Sequence, residues 1–210
     1  MNKYKMNDCS LDLNMGGFMS RRTDPNDMIN HILSATELLV AKEGLQNLSM
    51  RKIAKEIGVA AGTLYLYFST KDQLLSQLAN HIYERYSCYI NIDFDPNESL
   101  FKQYRQMWVR KWQFLSDNPM IAIHLSQYQA MLGFSEIVYR TINDPEFIWN
   151  RFVDEGKKQG VIVDLPNEVL YYLSMGTATD IAYLQQVKKD VVPEEYFEEI
   201  ISRTWKAITF

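Results

Sequence analysis

The chain lacks most of what catalysis, metal binding and membrane insertion require. It has only two cysteines, Cys9 and Cys88, without metal-type spacing, which predicts reduced thiols; a redox sensor is the alternative reading. Its three histidines, His31, His81 and His124, have no cysteine or carboxylate partners at ligating distances along the chain, so neither a metal nor a cofactor is expected. A Gly-rich phosphate loop, a nucleophile elbow and a metal-binding helix pair are all missing, and the chain is not read as an enzyme. No apolar run approaches the length needed to cross a bilayer, and the opening MNKYKMNDCSLDLN lacks the continuous apolar segment of a signal peptide. No membrane partner is therefore expected, and the expected location is cytoplasmic. There is no basic excess: the net charge is −4, which argues against a broadly basic nucleic-acid coat. Strand-like alternation never lasts more than a few residues, and no fixed-period repeat or low-complexity tract occurs.

What is present describes a globular, helical protein. Hydrophobic residues make up 47% and charged residues 23% of the chain, enough to bury a core at a length between one domain and two. Charge is uneven. Residues 21–91 carry eight Lys/Arg against seven Asp/Glu, while residues 92–210 carry twelve against seventeen, so the acidity lies in the C-terminal part.

Residues 1–23, which contain Gly16-Gly17, have no sustained period and read as a flexible arm; Met15 and Met19 could equally be starts. Ser20-Arg21-Arg22 could serve as a basic arm toward phosphate or minor groove, or be plain disorder. Asp24-Pro25 opens a helix whose apolar stripe is Met28, Ile32, Ala35, Leu38 and Leu39, stopped by Gly44. Leu48 to Gln73, LSMRKIAKEIGVAAGTLYLYFSTKDQ, organises the rest. Met50, Ile53, Ala54 and Ile57 make a short amphipathic helix capped by Ser49 and ended by Gly58, and a second helix is predicted from Ala61 to Phe68. Thr70 and Gln73 form a capping box for a helix to about Tyr89. Further helices are predicted over about 97–116, 120–132, up to 143, 144–160, Pro166 to Lys188 and Pro193 to Ile208. The total is about nine.

The run GVAAGTLYLYFSTKDQLL from Gly58 to Leu75, preceded by SMRKIAKEI, resembles the DNA-binding signature of the TetR family of bacterial repressors. The likeness is close over roughly Met28 to Tyr89 and otherwise extends only to helical layout. It implies an all-α protein: residues 24–70 form a three-helix DNA-binding domain with a helix-turn-helix, and residues 71–210 a larger helical domain for ligand binding and dimerisation. By the same resemblance, Gly62 brings backbone close to DNA, Thr63 and Tyr65 approach bases or sugar-phosphate, Tyr67 contacts phosphate and Lys71 supplies a charged phosphate contact. Ser49 adds a phosphate contact to its cap, and Arg51 and Lys52 are further candidates. Ala60 and Ala61 depart from the family's frequent hydroxyl and polar residues there, leaving at best contacts to thymine methyls. Leu64 and Phe68, four apart, should anchor the helix; packing is the competing reading for Tyr65 and Tyr67.

The resemblance further implies a small-molecule pocket in the body. Tyr104, Trp108 and Trp112 recur at four-residue spacing, with His124, Tyr128, Phe152, Met175 and Thr179 as opposite walls for a small hydrophobic or amphipathic effector. Plain core is the competing reading for each, and Asp180 is either an exposed helix position or a carboxylate facing a pocket or dimer seam. Leu170, Leu173, Ser174, Thr177, Ala178, Ile181 and Leu184, with Tyr196, Phe197, Ile200, Ile201 and Trp205, are expected to pair two subunits. The function implied is a homodimeric repressor of a palindromic double-stranded operator, released by its effector. A helical ligand-binding or interaction protein without DNA activity is the alternative, and it leaves the pattern from Gly58 to Lys71 unexplained.

Overall fold

The computed structural model describes residues 25–91, 97–131, 133–188 and 192–210. The arm at 1–23, including Cys9, lies outside the described residues. The described chain is helical throughout, with α1 (Pro25–Glu43), α2 (Met50–Glu56), α3 (Ala61–Leu64), α4 (Lys71–Ile90), α5 (Leu100–Asp117), α6 (Pro119–Gln129), α7 (Phe134–Ile142), α8 (Ile148–Lys158), α9 (Asn167–Ser174), α10 (Gly176–Val187) and α11 (Phe197–Lys206). It divides into two compact units, the first ending at Cys88 and the second beginning at Tyr89.

In the first unit, α1 turns Ile32, Leu33, Ala35, Thr36, Leu39 and Val40 inward. Leu38, expected in that stripe, is 45% exposed, one position off the buried line. Helix α2 ends in two hydrogen bonds that only a left-handed residue permits: Gly58 N–H donates to Lys55 O and Val59 N–H to Ala54 O, with Gly58 at φ 72°. This Schellman closure reverses the chain and delivers it to α3. Leu64 and Phe68 are 0% and 2% exposed, pinning α3 and its following turn to the same core as Leu74, Leu78 and Ile82 of α4. Arg85 of α4 pairs with Glu37 of α1 at 2.8 Å.

In the second unit α5 is central, packing on α6, α8, α10 and α11. Ser99 caps it, accepting from Lys102 N–H at 3.3 Å; the expected start near Asn97 is thus shifted three residues. The DPEF segment is a turn rather than a helix: Asp144 Oδ1 accepts the Glu146 N–H at 2.9 Å, and α8 begins only at Ile148. Buried Asn150 holds that turn by donating from Nδ2 to the carbonyls of Thr141 and Asp144. Helix α8 closes as α2 does, with Gly160 at φ 69° and Val161 N–H donating to Gly156 O. The returning chain crosses Gly156 so closely that a Cβ there would lie 2.4 Å from Ile162 Cδ1. Ile162 then bridges Thr209, tying the chain's end to this loop.

The long helix expected from Pro166 to Lys188 is two helices parted at Met175. The predicted pairing stripe divides accordingly. Leu170, Ser174 and Ala178 are fully buried in their own unit, as is Ile201, whereas Leu173 and Leu184 are 46% and 37% exposed. Helical spacing gave the stripe but not which part of it faced the core.

Candidate functional site

The helix-turn-helix is built by α2, the Gly58 turn and α3. Ser49 Oγ accepts the Lys52 N–H at 3.3 Å, fixing the first turn of α2. Arg51 points away from the core and is exposed, while Lys52 is held by Glu43. Ala60 gives α3 no side-chain cap, and Thr63 N–H instead meets Ala60 O at 2.9 Å. The helix expected from Ala61 to Phe68 is one α-turn, Ala61–Leu64, followed by tighter turns in which Leu66 N–H reaches Thr63 O and Tyr67 N–H reaches Leu64 O. With Leu64 and Phe68 held inside, the residues between them are forced outward. Tyr65 is 54% exposed and Leu66 83%; Tyr67, Thr63 and Ala61 are half-buried and Gly62 is exposed. Leu66 was missed in the sequence, although it too falls out of line with Leu64 and Phe68.

The next helix starts on a complete cap. Gln73 N–H donates to Thr70 Oγ1 at 3.0 Å, and Gln73 Oε1 reaches back to accept from Ser69 N–H and Ser69 Oγ. The reciprocal bond falls one residue earlier than in the predicted box. It sets half-buried Lys71 in the first turn of α4, adjoining the α3 turn in sequence. On the same helix, burial holds the His81 imidazole below its ordinary value of 6.5, with the nearby Arg85 charge adding to the effect.

The second-unit residues are mostly interior. Tyr104 and Trp108 are 0% exposed, and Tyr128, Phe152 and Met175 each 2%. Tyr104 stacks with Phe152 at 6.5 Å and meets Trp205 at 5.3 Å. Its hydroxyl donates to Thr204 Oγ1 at 2.7 Å, and burial pushes its pKa up to about 12. Trp108 Nε1 donates to Thr177 Oγ1 at 3.2 Å and Trp112 Nε1 to Gln185 Oε1 at 2.9 Å, so both indoles fasten α5 to α10. His124 sits where α6 leaves helical geometry, at φ −103° and ψ 15°, with Nδ1 3.1 Å from Gln127 Nε2. Thr179 is half-buried and Asp180 is exposed, the ordinary helix position. The structure thus joins Tyr104 to Phe152 directly, and α10, which carries Thr179, packs on both α5 and α6. Among the described residues, no cluster of three or more His, Cys, Asp or Glu side chains could hold a metal, and no helix is long and apolar enough to cross a membrane.

Comparison with known proteins agrees with this architecture. A family model described as bacterial regulatory proteins, tetR family, matches residues 32–78, and one described as a tetracyclin repressor-like C-terminal domain matches residues 99–209. An uncharacterized HTH-type transcriptional regulator of Haemophilus influenzae is 40% identical over 188 residues, covering 89% of this chain and 98% of that protein. A crystal structure of a TetR-family regulator from Haemophilus influenzae superposes with a TM-score of 0.79 at 39% identity, over 90% of this chain and all of that one. A putative TetR-family regulator from Vibrio parahaemolyticus gives 0.72 at 30% identity, over 89% and 99%. These relatives are transcriptional regulators, not enzymes. The chain belongs to the TetR family of bacterial transcriptional regulators, with a helix-turn-helix DNA-binding domain followed by a larger helical domain.

Proposed function

We propose that the protein is a dimeric repressor that binds a palindromic operator in the bacterial cytoplasm and is released when a small hydrophobic or amphipathic ligand enters its body. The supporting observation is the α3 turn, where Tyr65 and Leu66 stand 54% and 83% exposed between two enclosed anchors. Two large side chains exposed side by side on so short a segment offer a surface for a partner. Thr63, Tyr65 and Ala61 face base edges or sugars, Gly62 admits the backbone, and Ser49, Arg51, Tyr67 and Lys71 meet phosphates. The working division is a reading head at 24–70 and a sensing and pairing body at 71–210.

A head with nearly balanced charge makes few phosphate contacts, so two heads on one site are needed for useful affinity. Pairing is supported by the apolar groups left outside on α9 and α10: Val169, Tyr172, Leu173, Tyr183, Leu184 and Val187 are between 37% and 64% exposed, more than isolated surface hydrophobics account for. The face offered to the second copy is this one, on the Pro166 to Lys188 segment, with exposed Tyr196 extending it toward α11 in the Pro193 to Ile208 segment. The body's ligand shifts the balance toward a conformation whose heads are misaligned with the operator.

Fluorescence anisotropy with a labelled inverted repeat from upstream of its own gene tests this. Two chains per site and affinity falling with salt are expected. Salt-independent binding, a monomer at micromolar concentration, or unchanged affinity in Lys71→Ala would each count against it.

A further inference from the structure

Six lysines and arginines stand in the described part of the first unit, and carboxylates engage three of them. Lys42 of α1 pairs with Glu56 of α2 at 3.5 Å, Glu43 of α1 pairs with Lys52 of α2, and Arg85 pairs with Glu37. The first two pairs are reciprocal. Each helix lends one cation and one carboxylate, so α2 is clasped to the end of α1 by charges that cancel. Arg51, Lys55 and Lys71 are left, and none of them makes an ion pair among the described residues. All three lie on α2 or on the first turn of α4, the two elements that flank the α3 turn. Arg51 and Lys55 are exposed and four residues apart, so they share one face of α2, and like charges at that spacing repel. Lys52 and Glu56 share the face turned to α1.

We propose that Lys55 is a DNA phosphate anchor, completing with Arg51 and Lys71 a set of three cations per head, and that Lys52 is a positioning residue that meets Glu43 rather than DNA. The inference rests on the DNA-binding reading above and extends it to a residue that reading does not use. Spacing alone does not separate the two lysines, which are both exposed on α2. The clasp does, because Lys52 is already neutralised by a carboxylate and Lys55 is not. Lys55 also stands in the last turn of α2, where a cation favours the helix end whatever it faces, so the test must separate that role from contact with DNA. Ser49 and Tyr67 are neutral and displace no counterion. The salt dependence therefore belongs to the three cations, about 0.9 per phosphate neutralised and about 3 per head.

The test is fluorescence anisotropy of the full chain on the inverted repeat from upstream of its own gene and on a scrambled duplex of equal length, between about 50 and 200 mM salt. Lys55→Gln should weaken binding to both duplexes and make the slope of log affinity against log salt shallower by about 1 for each head, while Lys55→Arg keeps the wild-type slope. The neutral exchange of the clasp, Glu43→Gln together with Lys52→Gln, should leave the slope unchanged. Lys206→Gln removes the same charge from an exposed position on α11 and should leave it unchanged too. A Lys55→Gln slope equal to that of wild type overturns the inference, and so does a clasp exchange or a Lys206→Gln change that flattens the slope as much as Lys55→Gln does. If Lys55 serves the helix end alone, Lys55→Gln lowers the melting temperature and spares the slope, which overturns it as well. When wild type binds DNA and only the Lys55→Gln slope fails to move, the anchor falls and the DNA-binding reading stands; when wild type binds neither duplex, both fall.

Discussion

In the first unit Tyr65 stands 54% exposed beside a fully enclosed Leu64, whereas in the second Tyr104 and Tyr128 are enclosed to within 2% alongside Trp108 and Phe152. Tyr65 is thus turned outward, while these rings around α5 are turned inward. The first unit encloses Leu64 and Phe68 and leaves Tyr65 and Leu66 outside. The body gathers its rings around α5, where they hold helices together through indole and phenol hydrogen bonds. Losing Tyr65 should therefore cost recognition under the proposed function, and losing Trp108 should cost stability.

The sharpest break of that contrast is Trp108→Ala against Tyr65→Ala in urea unfolding. The first should lose about 3–5 kcal/mol, as large-to-small core changes do, and the second should stay within about 0.5 kcal/mol, as exposed substitutions do. Comparable losses would erase the distinction. Next comes Gly156→Ala, expected to cost about 1–3 kcal/mol by overpacking against Ile162. Adding Ile162→Val should return part of it, a non-additivity measured in a double-mutant cycle.

On the recognition side, Tyr65→Ala should weaken operator binding about tenfold with stability intact, in line with a contact worth about 1.4 kcal/mol. Lys71→Ala should make the slope of log affinity against log salt shallower by about 1, the signature of one lost phosphate contact. Ser49 and Ser99 allow a matched pair, since each caps its helix at 3.3 Å. Either alanine substitution should cost about 1 kcal/mol of stability, but only Ser49→Ala should also lower operator affinity.

The smallest effect is a slope with pH. The folded-state pKa of His81 is lowered by burial and then by Arg85. The unfolded chain therefore binds the proton more readily, so stability falls as pH drops through about 6.5 and levels off below the depressed folded value. His81→Gln should flatten that segment of a denaturation series; an unchanged profile would mean burial does not hold the imidazole neutral.

The head was legible because its determinants are local. Gly58 must be left-handed, Ser49 and Thr70 must cap, and Leu64 with Phe68 must face one way; all lie within 22 residues of chain, so spacing alone settles their directions. The body was legible only as helices. A stripe at helical spacing on α9 and α10 says that one face is apolar, but two apolar faces exist there, and which one meets the core depends on α5 and α6. Length misled at Pro166 to Lys188 because apolar periodicity runs straight through the break at Met175. Asp144-Pro145 misled because aspartate's oxygen closed a turn of its own rather than a helix.

Residue order by itself therefore determined the class of fold, the helix-turn-helix and the outward direction of Tyr65, since each follows from backbone preferences and spacing within a few turns. Tertiary structure alone decided that Lys111 is enclosed beneath Tyr171, that Ile162 presses on Gly156, and that Leu170 faces inward while Leu173 faces out. Those facts depend on contacts between segments brought together by the packing of several helices, and no local pattern encodes which distant neighbour arrives.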